Sequence, residues 1–411
     1  MSKTPNIRFN GFSDNWKEKQ LSEIFVIKNN KNKNQYSRDG VLSVSDYEGC
    51  VNQIKFHGRS FAGKDISNYK IADIGDIIYT KSPLQSKPYG IVKIVTEEAG
   101  IVSPLYVVNV PTKENDSFFM YYLFDSPERT NKYLEPLVRK GAKNTMNISD
   151  GEWLSGNIVV TENLEEQQKI GLLFKKIDDL INIESSKIDE LSKIKQSLLL
   201  KMFPAENKDI PCIRFKDFTD TWEQRKLGEM GKARSGTGFP DIEQGGTSGI
   251  PFFKVSDMNS KDNQSEMIIA NNYVTPSQIL NNKWIPIEEV PAIFFAKVGA
   301  AVMLNRKRLC RSPFLLDNNT MAYSLSTEKW DTNFAKTLFD SIDLTTLVQV
   351  GAFPSYNAGD VEGIETYVPN INEQQKIGSL FENLDNLITL HQRKLDKLKE
   401  VKSALLDKLL V

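Results

Sequence analysis

The chain has 411 residues, 40% apolar, 26% charged and 10% aromatic, proportions that fit two or three globular domains and exclude collagenous, disordered and membrane-buried classes. Its formal net charge of −1 gives no bulk attraction to a polyanion. Two histidines, His57 and His391, exclude sites that need several imidazoles, and Cys50, Cys212 and Cys310 match no metal or redox spacing. So few cysteines over this length fit plain thiols in a reducing compartment. The polar start Met1-Ser-Lys-Thr-Pro-Asn6 and the absence of an unbroken apolar window predict a cytoplasmic protein with no membrane role.

Taken in chain order, the opening Ile7-Arg-Phe-Asn-Gly-Phe-Ser-Asp-Asn-Trp16 leads into β-rich runs at 40–45, 76–80, 89–95 and 106–110, punctuated by Gly, Pro, Asn and Asp. A helical stretch is expected at 117–124, then a long one from Asn163 to Phe203. The opening then returns as Ile213-Arg-Phe-Lys-Asp-Phe-Thr-Asp-Thr-Trp222, a shorter helix is expected over 333–342, and Asn370 to Leu410 repeats Asn163 to Phe203 with 19 identities in 41 positions. The chain is a tandem duplication. The predicted fold is α/β (α+β), with bodies at 1–160 and 209–369, repeated helices at 161–208 and 370–411, and pseudo-two-fold symmetry. Between the matched ends the two bodies share only short echoes such as Val44-Ser-Asp46 with Val255-Ser-Asp257.

Both repeated segments carry apolar residues at three and four spacing, among them Ile177, Ile181, Ile188, Leu191, Ile194 and, in the second copy, Leu384, Ile388, Leu395, Leu398 and Val401. This is a coiled-coil or helix-pair seam, and 40 helical residues make a rod of roughly 60 Å. One seam position breaks the apolar series at Glu184 and at its repeat equivalent His391. In an antiparallel pair these midpoints meet, so Glu184 and His391 are expected to pair and fix register; the alternative is two solvated side chains at the seam edge.

Catalytic motifs are represented only by near misses. Ser103-Pro-Leu-Tyr106 approaches the amino-methyltransferase motif, but Leu105 replaces its second proline and no glycine-rich nucleotide turn precedes it. Pro240-Asp241 would open a metal-nuclease motif that the following residues do not complete, and no phosphate-binding Gly-x-x-x-x-Gly-Lys loop occurs. The chain reads as non-catalytic, with no metal and no cofactor of its own.

Two variable bodies alternating with two repeated helices, the Ile-Arg-Phe-x-x-Phe-x-Asp-x-Trp openings, and helix starts Asn163-Leu-Glu-Glu-Gln-Gln-Lys-Ile170 and Asn370-Ile-Asn-Glu-Gln-Gln-Lys-Ile377 together resemble the specificity subunit of a type I restriction-modification system. The likeness covers the whole chain. It implies that each body is a target recognition domain reading one half of a split site in double-stranded DNA. It also implies that the helices pair as an antiparallel coiled coil, set the spacing and receive two modification (methyltransferase) subunits, which use S-adenosylmethionine. Restriction subunits using ATP and Mg are the further implied partners. Major-groove half-sites on one face lie about 34 Å apart, a separation that a paired rod of this length can hold.

Residues 1–160 hold 21 basic and 18 acidic side chains, whereas 209–369 hold 16 and 20, so phosphate contacts must be local. Candidates in the first body are Lys28, Lys31, Lys33, Lys81, Ser82, Gln85, Lys87, Lys140, Lys143 and Asn144. In the second they are Lys254, Ser256, Lys297, Arg306, Lys307, Arg308 and Arg311, with Tyr356 and Asn357 in the loop starting at Gly351. The alternative function is a non-catalytic tandem scaffold binding proteins or small ligands without DNA.

Overall fold

The computed structural model describes residues 4–140, 146–205, 208–325, 328–348 and 354–411, with backbone alone at 140, 146 and 147. The chain divides into two units, Met1–Ser185 with Arg393–Val411, and Ser186–Gln392.

The first unit is built on a four-stranded antiparallel sheet in the order Phe25–Ile27, Val107–Pro111, Ile77–Tyr79, Val92–Ile94. Its two inner strands are β-branched and aromatic, and the side chains of Ile77, Ile78, Tyr79, Val107 and Val108 are all buried. The helix Ser117–Leu123, capped by Asp116, covers one face, and Trp16, Phe119, Trp153 and Phe174 fill the layer between. A ribbon pairing Lys17–Gln20 with Asn157–Val160 brings the start of the body beside its end. A hairpin, Leu42–Ser45 with Gly49–Asn52, and a second antiparallel pair, Lys70–Ala72 with Gly100–Val102, pack on two small clusters, one of which takes in Ile78 and Val108 of the central sheet.

In the second unit the strands run Gly231–Ser235, Thr320–Leu325, Ala292–Ala296, Lys307–Cys310, again all antiparallel. A ribbon joins Glu223–Lys226 to Glu365–Val368, and the helix Thr332–Ser341, capped by Asp331, takes the covering role. Strand order and accessory elements therefore match those of the first unit although the intervening sequences do not. The outlying pairs differ: here Ile250–Phe253 joins Tyr273–Val274 antiparallel and Leu315–Leu316 parallel.

The two long helices, Leu164–Met202 and Ile371–Leu409, have 39 residues each and so span about 58 Å at 1.5 Å per residue. Each is started by an asparagine: the Glu166 N–H donates to Asn163 Oδ1 (3.1 Å) and the Glu373 N–H to Asn370 Oδ1 (3.0 Å). The unit boundary cuts both helices. Ile170, Phe174 and Ile177 share the first unit's core with Leu406, Leu409 and Leu410, while Met202, Phe203, Ile377, Phe381 and Leu384 share the second's. Of the expected seam, Ile177, Leu384 and Leu395 are buried and Ile181, Ile188, Leu191, Ile388 and Leu398 half-buried. Ile194 and Val401 are instead exposed, because they sit on the flank of their helices. Glu184 is buried and His391 half-buried. No helix among the described residues is long and apolar enough to cross a membrane.

Candidate nucleic-acid interface and the clasps that hold it

The repeated motifs are contacts made twice. Arg8 donates from Nε to Glu166 Oε1 (2.5 Å) and from an Nη to Oε2 (2.8 Å); Arg214 repeats the fork on Glu373 at 2.7 and 2.8 Å. Both glutamates are fully buried, and the hydrogen bond to each holds its guanidinium above the ordinary arginine value. A planar fork on a carboxylate fixes direction as well as distance, so each body's opening segment is oriented on the first turn of a long helix.

The neighbouring glutamine does the next job. Gln167 accepts from the Asp116 N–H (2.8 Å) and donates to Thr161 O (2.7 Å), while Gln374 accepts from the Asp331 N–H (2.9 Å) and donates to Pro369 O (3.0 Å). The lysine after it, Lys169 or Lys376, lies 4.9 or 5.1 Å from the ring of Phe12 or Phe218. Gly171 and Gly378 then let the long helix approach the capping aspartates, since a Cβ would stand 2.5 Å from Asp116 Oδ1 or 2.3 Å from Asp331 Oδ1. At the other end, the Ile7 N–H donates to Lys408 O (3.0 Å) and the Ile213 N–H to Lys201 O (2.8 Å). None of this is chemistry. The repeated phrase is a mount.

The mount leaves the outlying loops to face solvent. In the first unit Lys31 and Lys33 are exposed, Lys31 donating to Asn68 Oδ1 at 3.0 Å, and Ser82 and Gln85 are exposed in the loop after Tyr79. Lys81 is half-buried, 3.7 Å from Asp150. Lys87, expected beside them as a contact residue, is buried and donates to Asp46 Oδ1 (2.6 Å), so it holds the loop from beneath. Lys28 is likewise engaged, with Asp73 and Asp76. Lys140 is described by its backbone only, and Lys143 and Asn144 lie outside the described residues.

The second unit corrects more. Lys307 is buried and donates to Asn305 Oδ1 (2.8 Å) and Ile342 O (2.6 Å); burial pulls its ammonium down to about 8. Arg308 donates to Asn263 O (2.7 Å) and Arg306 to Asn259 Oδ1 (2.9 Å), tying the sheet edge to the 255–263 turns, and Arg311 reaches Glu266 (3.2 Å). A basic run in sequence has become three internal braces and one exposed ion pair. Tyr356 is buried with its hydroxyl donating to Ala296 O (2.6 Å), and Asn357 caps the short helix Ala358–Glu362, so neither extends as an inserting arm. Gly351, Ala352 and Phe353 lie outside the described residues. Ser256 is exposed; Lys254 donates to Gln244 Oε1 (3.0 Å), and Lys297 is half-buried with its ammonium lowered by burial.

One exposed group escaped the sequence reading. Phe56, His57 and Phe61 stack edge-on at 4.7 and 5.2 Å with Arg59 5.0 Å from the Phe61 ring. The signal was aromatics interleaved with basic residues over 55–61. Tyr47, at the tip of the hairpin Leu42–Asn52, is 94% exposed. No cluster of three or more metal-ligating side chains occurs among the described residues.

One scaffold repeated under two unlike sets of loops is the arrangement that comparison with known proteins also finds. The sequence model described as Type I restriction modification DNA specificity domain matches residues 219–400. Two proteins of Methanocaldococcus jannaschii are similar to the chain. One, provisionally named the MjaX specificity subunit of a type I restriction enzyme, is 22% identical over 97% of this chain and 93% of its own length. The other, the type I restriction enzyme MjaIX specificity subunit, is 24% identical over 82% of this chain and 74% of its own. Among solved structures, the S subunit of a type I restriction-modification system from M. genitalium shares the fold with a TM-score of 0.66 at 15% identity, covering 99% of both chains. Over nearly its whole length the chain is thus similar to specificity subunits of type I restriction-modification systems.

Proposed function

We propose that this chain reads a bipartite duplex site, one half with each target recognition domain (residues 1–160 and 209–369), and docks two methyltransferase subunits, with restriction subunits added to the same complex. The repeated helices at 161–208 and 370–411 pair as an antiparallel coiled coil and set the distance between the half-sites. S-adenosylmethionine, ATP and Mg belong to the partner subunits, and the complex works in the cytoplasm. The observation that carries the reading is the duplicated mount. The arginine and glutamate of the fork, the bridging glutamine and the glycine recur at an offset of 206 or 207, while the outlying loops differ in sequence and in strand pairing.

Support for antiparallel pairing comes from two ion pairs: Lys402 meets Asp178 at 2.7 Å in the first unit and Lys195 meets Asp385 at 2.6 Å in the second. The index falls along one helix as it rises along the other. The exposed, polar loops at 31–33 and 82–86 are the DNA-facing candidates that survive in the first body, and Ser256 with its neighbours in the second.

The test is modified-base mapping in a methylation-free host that expresses the chain with its methyltransferase subunit. N6-methyladenine confined to one split motif, and absent without this chain, is the expected result. Co-purification without any modified motif would overturn DNA reading and leave a protein scaffold.

A further inference from the structure

We propose that Lys402, near the end of the second long helix, is a positioning residue for the loops with which the first body meets DNA; this rests on the DNA-reading function above. The Lys402 ammonium lies 2.6 Å from Asp125 Oδ2 and 2.7 Å from Asp178 Oδ1, under the ring of Tyr122. Tyr122 donates its hydroxyl to Asp178 (2.7 Å) and Tyr121 donates to Asp125 (3.0 Å). From Asp125 the chain of charges continues to Lys93 (3.6 Å), from Lys93 to Asp46 (3.6 Å), and from Asp46 to Lys87 (2.6 Å). Three lysines and three aspartates balance, and every link between Lys402 and Lys87 is no more than 16% exposed.

The far end of this chain is where the two exposed loops meet. Asp46 begins the turn Asp46–Glu48 that presents Tyr47, and Lys87 closes the turn Leu84–Lys87, whose ends exchange backbone hydrogen bonds of 3.1 and 3.2 Å. That second turn carries Gln85, next to Ser82. Displacing any one buried ion leaves its neighbour uncompensated, so the chain holds position more than it adds stability.

The second unit supplies an internal control. Lys195, the repeat equivalent of Lys402, meets Asp385 at 2.6 Å and Asp340 at 3.7 Å, the equivalents of Asp178 and Asp125. There the chain stops: Lys307, on the strand matching that of Lys93, turns to Asn305 and Ile342 O instead of to a loop carboxylate. The same lock thus reaches the outlying loops in one body and not in the other.

The experiment uses the chain in complex with its methyltransferase subunit and scores methylation at sites carrying one mismatch in either half. The first body's half is assigned by exchanging residues 1–160 for those of a relative. Lys402→Met is expected to relax discrimination in that half by about tenfold, the scale of one base contact, with the other half unchanged. Lys402→Arg should restore most of it, and Lys195→Met should leave discrimination in the first body's half as it was. An assembled Lys402→Met complex with unchanged discrimination, or with equal relaxation in both halves, overturns the proposal. If Lys402→Met does not fold, Asp46→Asn carries the test at the distal link, where unchanged discrimination is likewise fatal. Failure of the wild-type complex to methylate any split motif would instead remove the DNA-reading function, before any variant is compared.

Discussion

Gly378→Ala isolates the close approach between the second long helix and the covering helix of its body. A Cβ at this position would stand 2.3 Å from Asp331 Oδ1, 2.7 Å from the Phe334 nitrogen and 3.1 Å from Asn333 Cβ, where ordinary contact begins at 3.4 Å. Asp331 cannot swing aside freely, because its Oδ1 caps the helix by accepting from the Phe334 N–H at 2.8 Å. Losing that cap costs about 1 kcal/mol, and forcing the helices apart costs about 1–3 kcal/mol. Alanine returns about 1 kcal/mol of helix propensity, so the net loss is about 1–3 kcal/mol. For a unit of about 200 residues this lowers Tm by roughly 2–12 °C. Gly171→Ala should behave alike, since its Cβ meets Asp116 Oδ1 at 2.5 Å and the Phe119 nitrogen at 2.8 Å. Gly151, in the helix Asp150–Ser155, has nothing within 4 Å, and there alanine should stabilise by up to ~1 kcal/mol. Scanning calorimetry of the three variants decides the matter: a rise in Tm for Gly378→Ala or Gly171→Ala comparable to that for Gly151→Ala would refute the packing argument.

Thiol labelling of the native chain should modify Cys212 alone, because Cys50 and Cys310 are buried and burial pushes both thiols up, Cys50 to about 12; all three should react in denaturant. Prompt labelling of three cysteines in the folded chain would contradict the burial. Lys307 is held down to about 8 by burial, so between about pH 8 and the ordinary lysine value near 10.4 the unfolded chain binds a proton that the folded chain does not. Its contribution to stability therefore rises with pH across that window, and the wild-type minus Lys307→Met difference in urea-unfolding free energy should rise with it; a flat difference would show that Lys307 stays charged when folded.

The duplication, the two long helices and the alternation of bodies were legible because they depend on periodicity and on repeated words. The helix starts were legible for the same reason, as Asn163 and Asn370 stand one turn ahead of the Glu-Gln-Gln phrases. What the phrases do was not legible: nothing local says that Glu373 meets Arg214, 159 positions away, or that Gly378 makes room for Asp331. The basic run at 306–311 misled for a related reason. Composition shows charge, but only the fold shows that Arg308 faces Asn263 O and that Lys307 points inward at Ile342 O. Lys87 was chosen for its loop and proves to be the loop's anchor.

The contacts also explain why the segments between the repeats are free to differ. Orientation of each body depends on a short set of buried groups, the fork, the glutamine, the glycine and the aromatic pair Trp16–Phe119 or Trp222–Phe334 at 5.6 and 5.9 Å, all of which belong to the ends of the body and its covering helix. The outlying pairs, antiparallel in one unit and partly parallel in the other, pack on clusters that include none of that set. A substitution at an exposed loop position such as Gln85 therefore changes what the surface presents at a cost within about 0.5 kcal/mol, whereas breaking a buried charge pair, as in Glu373→Ala, costs about 3–5 kcal/mol. Keeping the orienting contacts at the ends of each body is what lets one scaffold carry two different surfaces.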